Sequence, residues 1–379
     1  MHRFDSDRRL LEKNEILVVY GDNPTEMAQK LAEAAGLAEL IGDRKKLVGL
    51  KPNLVVSRPA SDGATTHPEI AAGLINYLKA HGFNNLIILE GSWTGDSTSR
   101  AFAQCGYAQL SRDTGVKLID TQKDTFTKRD CKGVEIEICD SALKVDFMIN
   151  LPVLKGHCQT LLTCALKNNK GIIPDREKRR FHSMGLHKPI AHLNTVAHND
   201  FILVDGICGD PDFEEGGNPV YGGRLFAAID PVLCDAYAAG LIGLNINEIP
   251  YISMAEKLNI GVTGPAIVRE INKSPDAPKI QPAGRKVKQL SGGVKEDGAC
   301  SSCYAALIFA LLRLEKSGIR GPGELCIGQG FRGKNGRIGI GNCTAGFSVS
   351  CAGCPPSGME IMDFLTALDQ PIIGKFKKK

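Results

Sequence analysis

The sequence predicts an α/β protein: an open, mostly parallel twisted sheet with helices on both faces, plus a small C-terminal cysteine-rich region that binds a metal or cluster. Three observations lead there. Near-continuous Val/Ile/Leu runs alternate with helical patterns through the first 245 residues, as parallel strands buried on both faces alternate with the helices that cover them. With 379 residues, 43% of them hydrophobic, the chain can bury a sizeable core and form more than one domain. Six of its 13 cysteines crowd into the last fifth of the chain, among many glycines and few bulky apolar residues. The expected organisation is an α/β domain over 1–260, a linker or irregular excursion over 261–298, and the cysteine-rich region over 299–379.

The elements follow in order. Ile16 to Tyr20 reads as a strand, and Asn23-Pro24-Thr25-Glu26 as the capped start of an amphipathic helix. Leu47 to Leu50 is a second strand, running into Lys51-Pro52-Asn53. Thr66-His67-Pro68-Glu69 opens a helix to about Ala80, closed by His81-Gly82, with proline at the start and glycine at the end. Leu86–Leu89, Val116–Asp120, Phe147–Leu151 and Phe201–Asp205 continue the strands. Leu225–Ile229 is a further strand and Pro231–Leu244 a helix rich in small residues. From about Gly261 to Gly298 the composition turns Pro-, Lys- and Gly-rich, the mark of a linker. A strong helix from Cys303 to Leu314 then ends at Lys316-Ser317-Gly318. No internal repeat or low-complexity tract occurs.

Ligands of open parallel sheets collect at the carboxyl ends of the strands, and this chain puts polar residues there. The ends carry Lys51 and Asn53, Glu90, Lys155 and His157, and Asp205. The segment Leu151–Gly171 places Lys155 and His157 before a helical stretch and Lys167, Asn168 and Lys170 after it, a cationic and hydrogen-bonding set suited to a carboxylate or phosphate. His157 is the candidate acid/base, since imidazole titrates near neutrality, with Lys155 beside it. Lys51, Asn53, Lys167, Asn168, Lys170 and Asp205 are candidate binding residues for an anionic small molecule. His67 reads as decoration of a helix start, and His182 and His187 as structural. Asp235, inside an apolar helix, needs a buried partner if it faces inward. No GxxxxGK[ST] and no post-strand GxGxxG occurs, which argues against a nucleotide site of standard type.

The late cysteines read C-x2-C-x22-C-x16-C-x7-C-x2-C. Each CxxC can aim two thiols at one metal or cluster from a single turn. Zinc ribbons usually set their two pairs about 15 to 20 residues apart, whereas these outer pairs lie further apart with two cysteines between them. The expected cofactor is therefore a 4Fe-4S cluster held by Cys300, Cys303, Cys343 and Cys354, with Cys351 or Cys326 as the substitute and zinc as the alternative. The first CxxC would sit at a helix N-terminus, where the dipole favours thiolates and an anionic cluster.

A formal charge of +4 is too mild to imply a nucleic-acid partner. No window approaches 18 consecutive apolar residues, so no membrane span is expected. The N-terminus lacks the apolar core of a secretory signal. An odd number of cysteines without an export signal points to the reducing cytoplasm, where clustered thiols bind metal rather than pair. The terminal Lys375–Lys379 run reads as a solvated tail.

Four ordered motifs carry a family resemblance: K-P-N-L at 51–54, T-H-P-E at 66–69, L-P-V-L-K-G-H at 151–157 and L-T-C-A-L-K-N-N-K-G at 162–171. Over about residues 45–245 the chain resembles the family called domain of unknown function 362. The resemblance implies an association with iron–sulfur centres. Many members carry a ferredoxin-like run of closely spaced cysteines, whereas this chain has the spread C-S-S-C, G-N-C and G-C-P-P elements.

The expectation is an iron–sulfur protein acting as an enzyme of redox or lyase type, in the redox case an oxidoreductase, on an anionic small molecule at the strand ends. The alternatives are a non-enzymatic electron carrier or structural cluster protein, serving a redox partner protein, and a zinc-stapled binding protein.

Overall fold

The computed structural model describes residues 9–274, 278, 285–319 and 323–369. The Lys-rich C-terminal run, the start of the chain and most of P-D-A-P-K-I-Q-P-A-G lie outside the described residues. The chain divides into two compact units, Met1–Phe181 with Gly185–Gly284, and His182–Met184 with Arg285–Lys379.

The strands of the first unit are β1 (Glu15–Tyr20), β2 (Val48–Pro52), β3 (Leu86–Glu90), β4 (Lys117–Asp120), β5 (Phe126–Asp130), β6 (Glu135–Cys139), β7 (Phe147–Leu151), β8 (Lys155–His157), β9 (Leu161–Thr163), β10 (Phe201–Gly209), β11 (Val220–Ala228) and β12 (Ile267–Glu270). Eight form one sheet in the order β12-β1-β11-β10-β7-β2-β3-β4. All of its pairings are parallel except those of β11 with β10 and with β1. The expected open, mostly parallel α/β sheet is therefore present, with one antiparallel strand inserted by the β10–β11 hairpin.

Alternation along the strands decides what each face buries. Leu17, Val19, Val48, Leu50, Ile149, Phe201, Leu203 and Leu225 pack with helices Pro24–Ala35 and Pro68–Ala80 in one core. On the other face Phe226 meets the ring edge of Tyr237 on helix Pro231–Leu241. That helix starts where Asp230 accepts from the amides of Val232 and Leu233, and it ends at Leu241, three residues short of the expected Leu244.

Two expectations change. The helix expected between His157 and Lys167 is instead a tight hairpin, with Lys155 opposite Thr163 and His157 opposite Leu161, followed by a single turn, Ala165–Asn168. The cause is local: His157 Nδ1 accepts from the amides of Gln159 and Thr160, both at 3.0 Å, which closes a turn where a helix would need those donors. The stretch 261–298 is divided between the units: β12 extends the main sheet beside β1, whereas helix Arg285–Leu290 belongs to the second unit.

The second unit has its own sheet of four short strands, β13 (Val294–Glu296), β14 (Leu325–Ile327), β15 (Ile338–Ile340) and β16 (Val349–Cys351), all parallel and in sequence order. Helix Ser301–Lys316 follows β13, as expected from the sequence, and packs on helix Gly358–Asp369.

Candidate functional site

In the second unit, the cysteines singled out by spacing lie just beyond the carboxyl ends of the strands. Cys300 caps helix Ser301–Lys316 after β13, and Cys303 sits in that helix's first turn. Cys343 follows β15 in the turn Asn342–Thr344, and Cys354 follows β16. Reciprocal bonds join the last two loops: the Asn342 amide donates to Gly353 O at 2.9 Å, and the Gly353 amide to Asn342 Oδ1 at 2.8 Å. Gly341 (φ +84°) lies beside the helix, where a Cβ would be in ordinary contact with Cys303 Sγ at 3.8 Å, and a side chain at this left-handed position would be strained. After β14, Gln329 Nε2 lies 3.8 Å from Cys300 Sγ and Arg332 Nε donates to Cys343 Sγ at 3.4 Å.

Burial, followed by the charges of Cys300, Cys354 and Cys343, pushes the Cys303 thiol up to about 12. A bound cation would favour the thiolate forms that burial disfavours at such a site. Sheet register separates the remaining two cysteines. Cys326 aligns with Gly339 and Ser350, whereas Cys351 aligns with Ile340 and Ile327, so they face opposite sides of the sheet and belong to its packing. Burial followed by Glu324 raises the thiol of Cys326, and burial followed by Glu360 that of Cys351.

In the first unit, the strand-end residues do gather, around an acid the sequence reading did not single out. Glu214, in the β10–β11 loop, pairs through Oε1 with Lys167 and through Oε2 with His157 Nε2 at 2.9 Å. His157 is buried, and its Nδ1 is already an acceptor of two amides, so Nε2 carries the proton and the ring is neutral. Burial, followed by Lys167, lowers it to about 4. The Lys155 ammonium donates to Asn53 Oδ1 at 3.2 Å, Ala64 O at 2.5 Å and Glu214 O at 2.7 Å. Burial pulls Lys155 down to about 7, yet three oxygen acceptors call for three N–H donors, which only the ammonium has. Lys155 thus ties three segments together, and the acid/base roles expected for it and for His157 find little room.

Lys51 is buried against Glu90, which also accepts from the Leu54 amide at 3.1 Å. Asn168 donates to Asn150 Oδ1 at 2.7 Å and to Lys51 O at 3.3 Å. Lys170 is half-buried nearby and acts on His157 through its charge. The cations expected to await an anion are therefore largely neutralised from within.

Asp205 has a different partner. Its Oδ2 accepts from His67 Nδ1 at 2.7 Å and from the His67 amide at 2.9 Å, while Oδ1 accepts from Ile207 at 3.1 Å. Burial lowers the His67 pKa, but the Asp205 charge and hydrogen bond outweigh it, and the net shift is upward. His67, only partly buried, forms an Asp–His dyad that the sequence reading took for decoration of a helix start. The spacing between positions 67 and 205 gave no local signal for it.

Among the described residues, one group of three could ligate a single ion: Cys164, Cys234 and Asp235, with ligand atoms within 4.8 Å of one another. All three are buried. The partner expected for Asp235 is the pair of amides of Ala165 (2.7 Å) and Leu166 (3.3 Å), and burial raises its carboxyl to about 7. Asp235 in this cluster is thus held by backbone amides.

Fold and site together define an α/β open-sheet protein with a separate four-thiol unit. Residues 48–240, just over half of the chain, match the model of the family described as domain of unknown function (DUF362), and the chain belongs to that family. It is 24% identical over 234 residues to the thylakoid-associated protein sll1697 of Synechocystis sp., spanning 59% of this chain and 70% of that protein. Among solved structures it is similar to the lactate racemase apoprotein from Thermoanaerobacterium thermosaccharolyticum, at 13% identity and a TM-score of 0.37, over 89% of this chain and 71% of that one. No described helix is long and apolar enough to cross a membrane.

Proposed function

We propose that this chain is an iron–sulfur redox protein whose 4Fe-4S cluster is held by Cys300, Cys303, Cys343 and Cys354. The observation that carries the reading is the placement of four thiols in the loops beyond β13, β15 and β16, two of those loops tied together by the Asn342–Gly353 hydrogen bonds. The two CxxC pairs lie further apart in sequence than those of a zinc ribbon, with two further cysteines between them, which favours a cubane over zinc. Four protein thiolates leave no iron open to substrate, which favours electron transfer over Lewis-acid lyase chemistry.

The first unit supplies the second element of the reading, a small-molecule site. The partly buried His67, backed by buried Asp205, has the geometry of a general base, and an anionic small molecule at the strand ends would have to draw on cations now shared with Glu214 and Glu90. A cytoplasmic location accords with cluster chemistry that depends on reduced thiols.

Anaerobically purified protein tests the proposal. About four irons and four sulfides per chain with a brown chromophore are expected, and stoichiometric zinc without sulfide would overturn it.

A further inference from the structure

We infer that the loop Arg332–Arg337, beyond β14, is the docking face for an electron-exchanging protein with an acidic surface; this rests on the cluster reading above. Arg332 is exposed and yet donates to Cys343 Sγ at 3.4 Å. Cys354, one of the four thiols, is itself exposed. The thiol site therefore opens to solvent on the side this loop occupies, where a partner can approach it most closely.

The loop's chemistry specifies the partner. Lys334 and Arg337 are exposed beside Arg332, and Lys334 lies 5.6 Å from the centroid of the Phe331 ring, which meets Phe347 edge-on at 5.8 Å. A small aromatic spot rimmed by cations is how a transient electrostatic interface is built. An acidic neighbour, Asp297, is 3.7 Å from Lys334 with both side chains more than half exposed, a pairing that solvent and salt weaken. The charge is not a property of the whole chain. Residues 285–379 hold 14 Lys and Arg against 7 Asp and Glu in the sequence, and 9 against 7, a net +2, among the described residues, whereas residues 1–284 carry −3. Three exposed cations within six residues, Arg332, Lys334 and Arg337, give the loop a local positive potential that steers an acidic protein to the place where electrons would cross.

The test uses the full-length, cluster-loaded chain, with iron and sulfide measured first. Reduced acidic plant-type ferredoxin is mixed with it in a stopped-flow instrument and cluster bleaching is followed, with photogenerated deazaflavin radical as the small neutral reductant. The variant combines Lys334→Glu with Arg337→Glu and leaves Arg332 in place. At low salt the wild-type rate should exceed the variant's by about tenfold or more and fall steeply with added salt, while deazaflavin reduces both proteins equally. No exchange with ferredoxin, or a rate indifferent to both salt and charge reversal in a protein carrying its full iron and sulfide, overturns the docking face while leaving the cluster intact. Binding of duplex DNA that the variant loses, without any change in ferredoxin exchange, reassigns the face to nucleic acid. Absence of iron and sulfide defeats the cluster reading, and this inference falls with it.

Discussion

His157→Gln separates two descriptions of the buried knot around Glu214: a neutral imidazole donating to a carboxylate, or an imidazolium paired with it. The geometry requires the neutral form, because Nδ1 accepts from Gln159 and Thr160, both at 3.0 Å. The folded value of about 4 lies below the unfolded value near 6.5, so the stability contribution is present above pH 6.5 and is lost as pH falls towards 4. Proton linkage puts the loss between pH 7 and pH 5 at about 2 kcal/mol for this one group. Removing it also strands two amides and one Glu214 oxygen, about 2–4 kcal/mol at pH 7. The variant should therefore be destabilised at pH 7 and about 2 kcal/mol less destabilised at pH 5. The single tryptophan of the chain is a suitable reporter: Trp93 packs against Val55, Val56 and Ala64, and Ala64 O is one of Lys155's acceptors. Urea unfolding followed by its fluorescence at both pH values, wild type against variant, gives the difference directly. A destabilisation equal or greater at pH 5 would mean that the ring is charged in the folded protein and that the neutral description is wrong.

Cys303→Ser and Cys343→Ser should each reduce bound iron from about four per chain to below one, while Cys326→Ser and Cys351→Ser retain it; iron and sulfide assays after anaerobic purification decide. Glu90→Gln leaves Lys51 buried without its charge partner, and urea titration should show a loss of about 3–5 kcal/mol. Gly156→Ala places a methyl 1.9 Å from the backbone oxygen of Pro211, so the β8–β9 hairpin must shift, and a cost of about 1–3 kcal/mol is expected in the same titration. The His67 ring, followed by NMR, should titrate above the usual histidine value and return towards it in Asp205→Asn; an unchanged titration would dissolve the dyad.

Much of the sheet was legible because its signals are local. Val/Ile/Leu runs at 16–20, 86–89, 147–151 and 201–205 mark strands whatever they pair with, and Pro68 and Asp230 mark helix starts through backbone chemistry within a few residues. The two CxxC pairs are legible in the chain itself, since C-S-S-C and C-A-G-C restrict geometry over a single turn, whereas the choice of Cys343 over Cys351 has no such local signal. The turn at His157 was misread as helix because the decisive interaction, a ring nitrogen accepting two amides, competes with helix formation without changing the hydrophobic pattern.

Taken alone, the sequence determined the α/β class, the family motifs and the two CxxC pairs, all set by spacings short enough for the backbone to enforce. Tertiary structure alone decided which groups are spent and which remain available: Glu214 neutralises Lys167 and holds His157, Glu90 takes Lys51, and Asp205 orients His67 across 138 residues. Register across β14, β15 and β16 likewise set Cys326 and Cys351 on opposite faces of the small sheet. The physical reason is the same in each case. Charge pairing and the side of a strand on which a residue falls depend on what folding brings alongside, and a buried cation, whatever its neighbours in the chain, is held by the acid or the oxygen acceptors that fold against it.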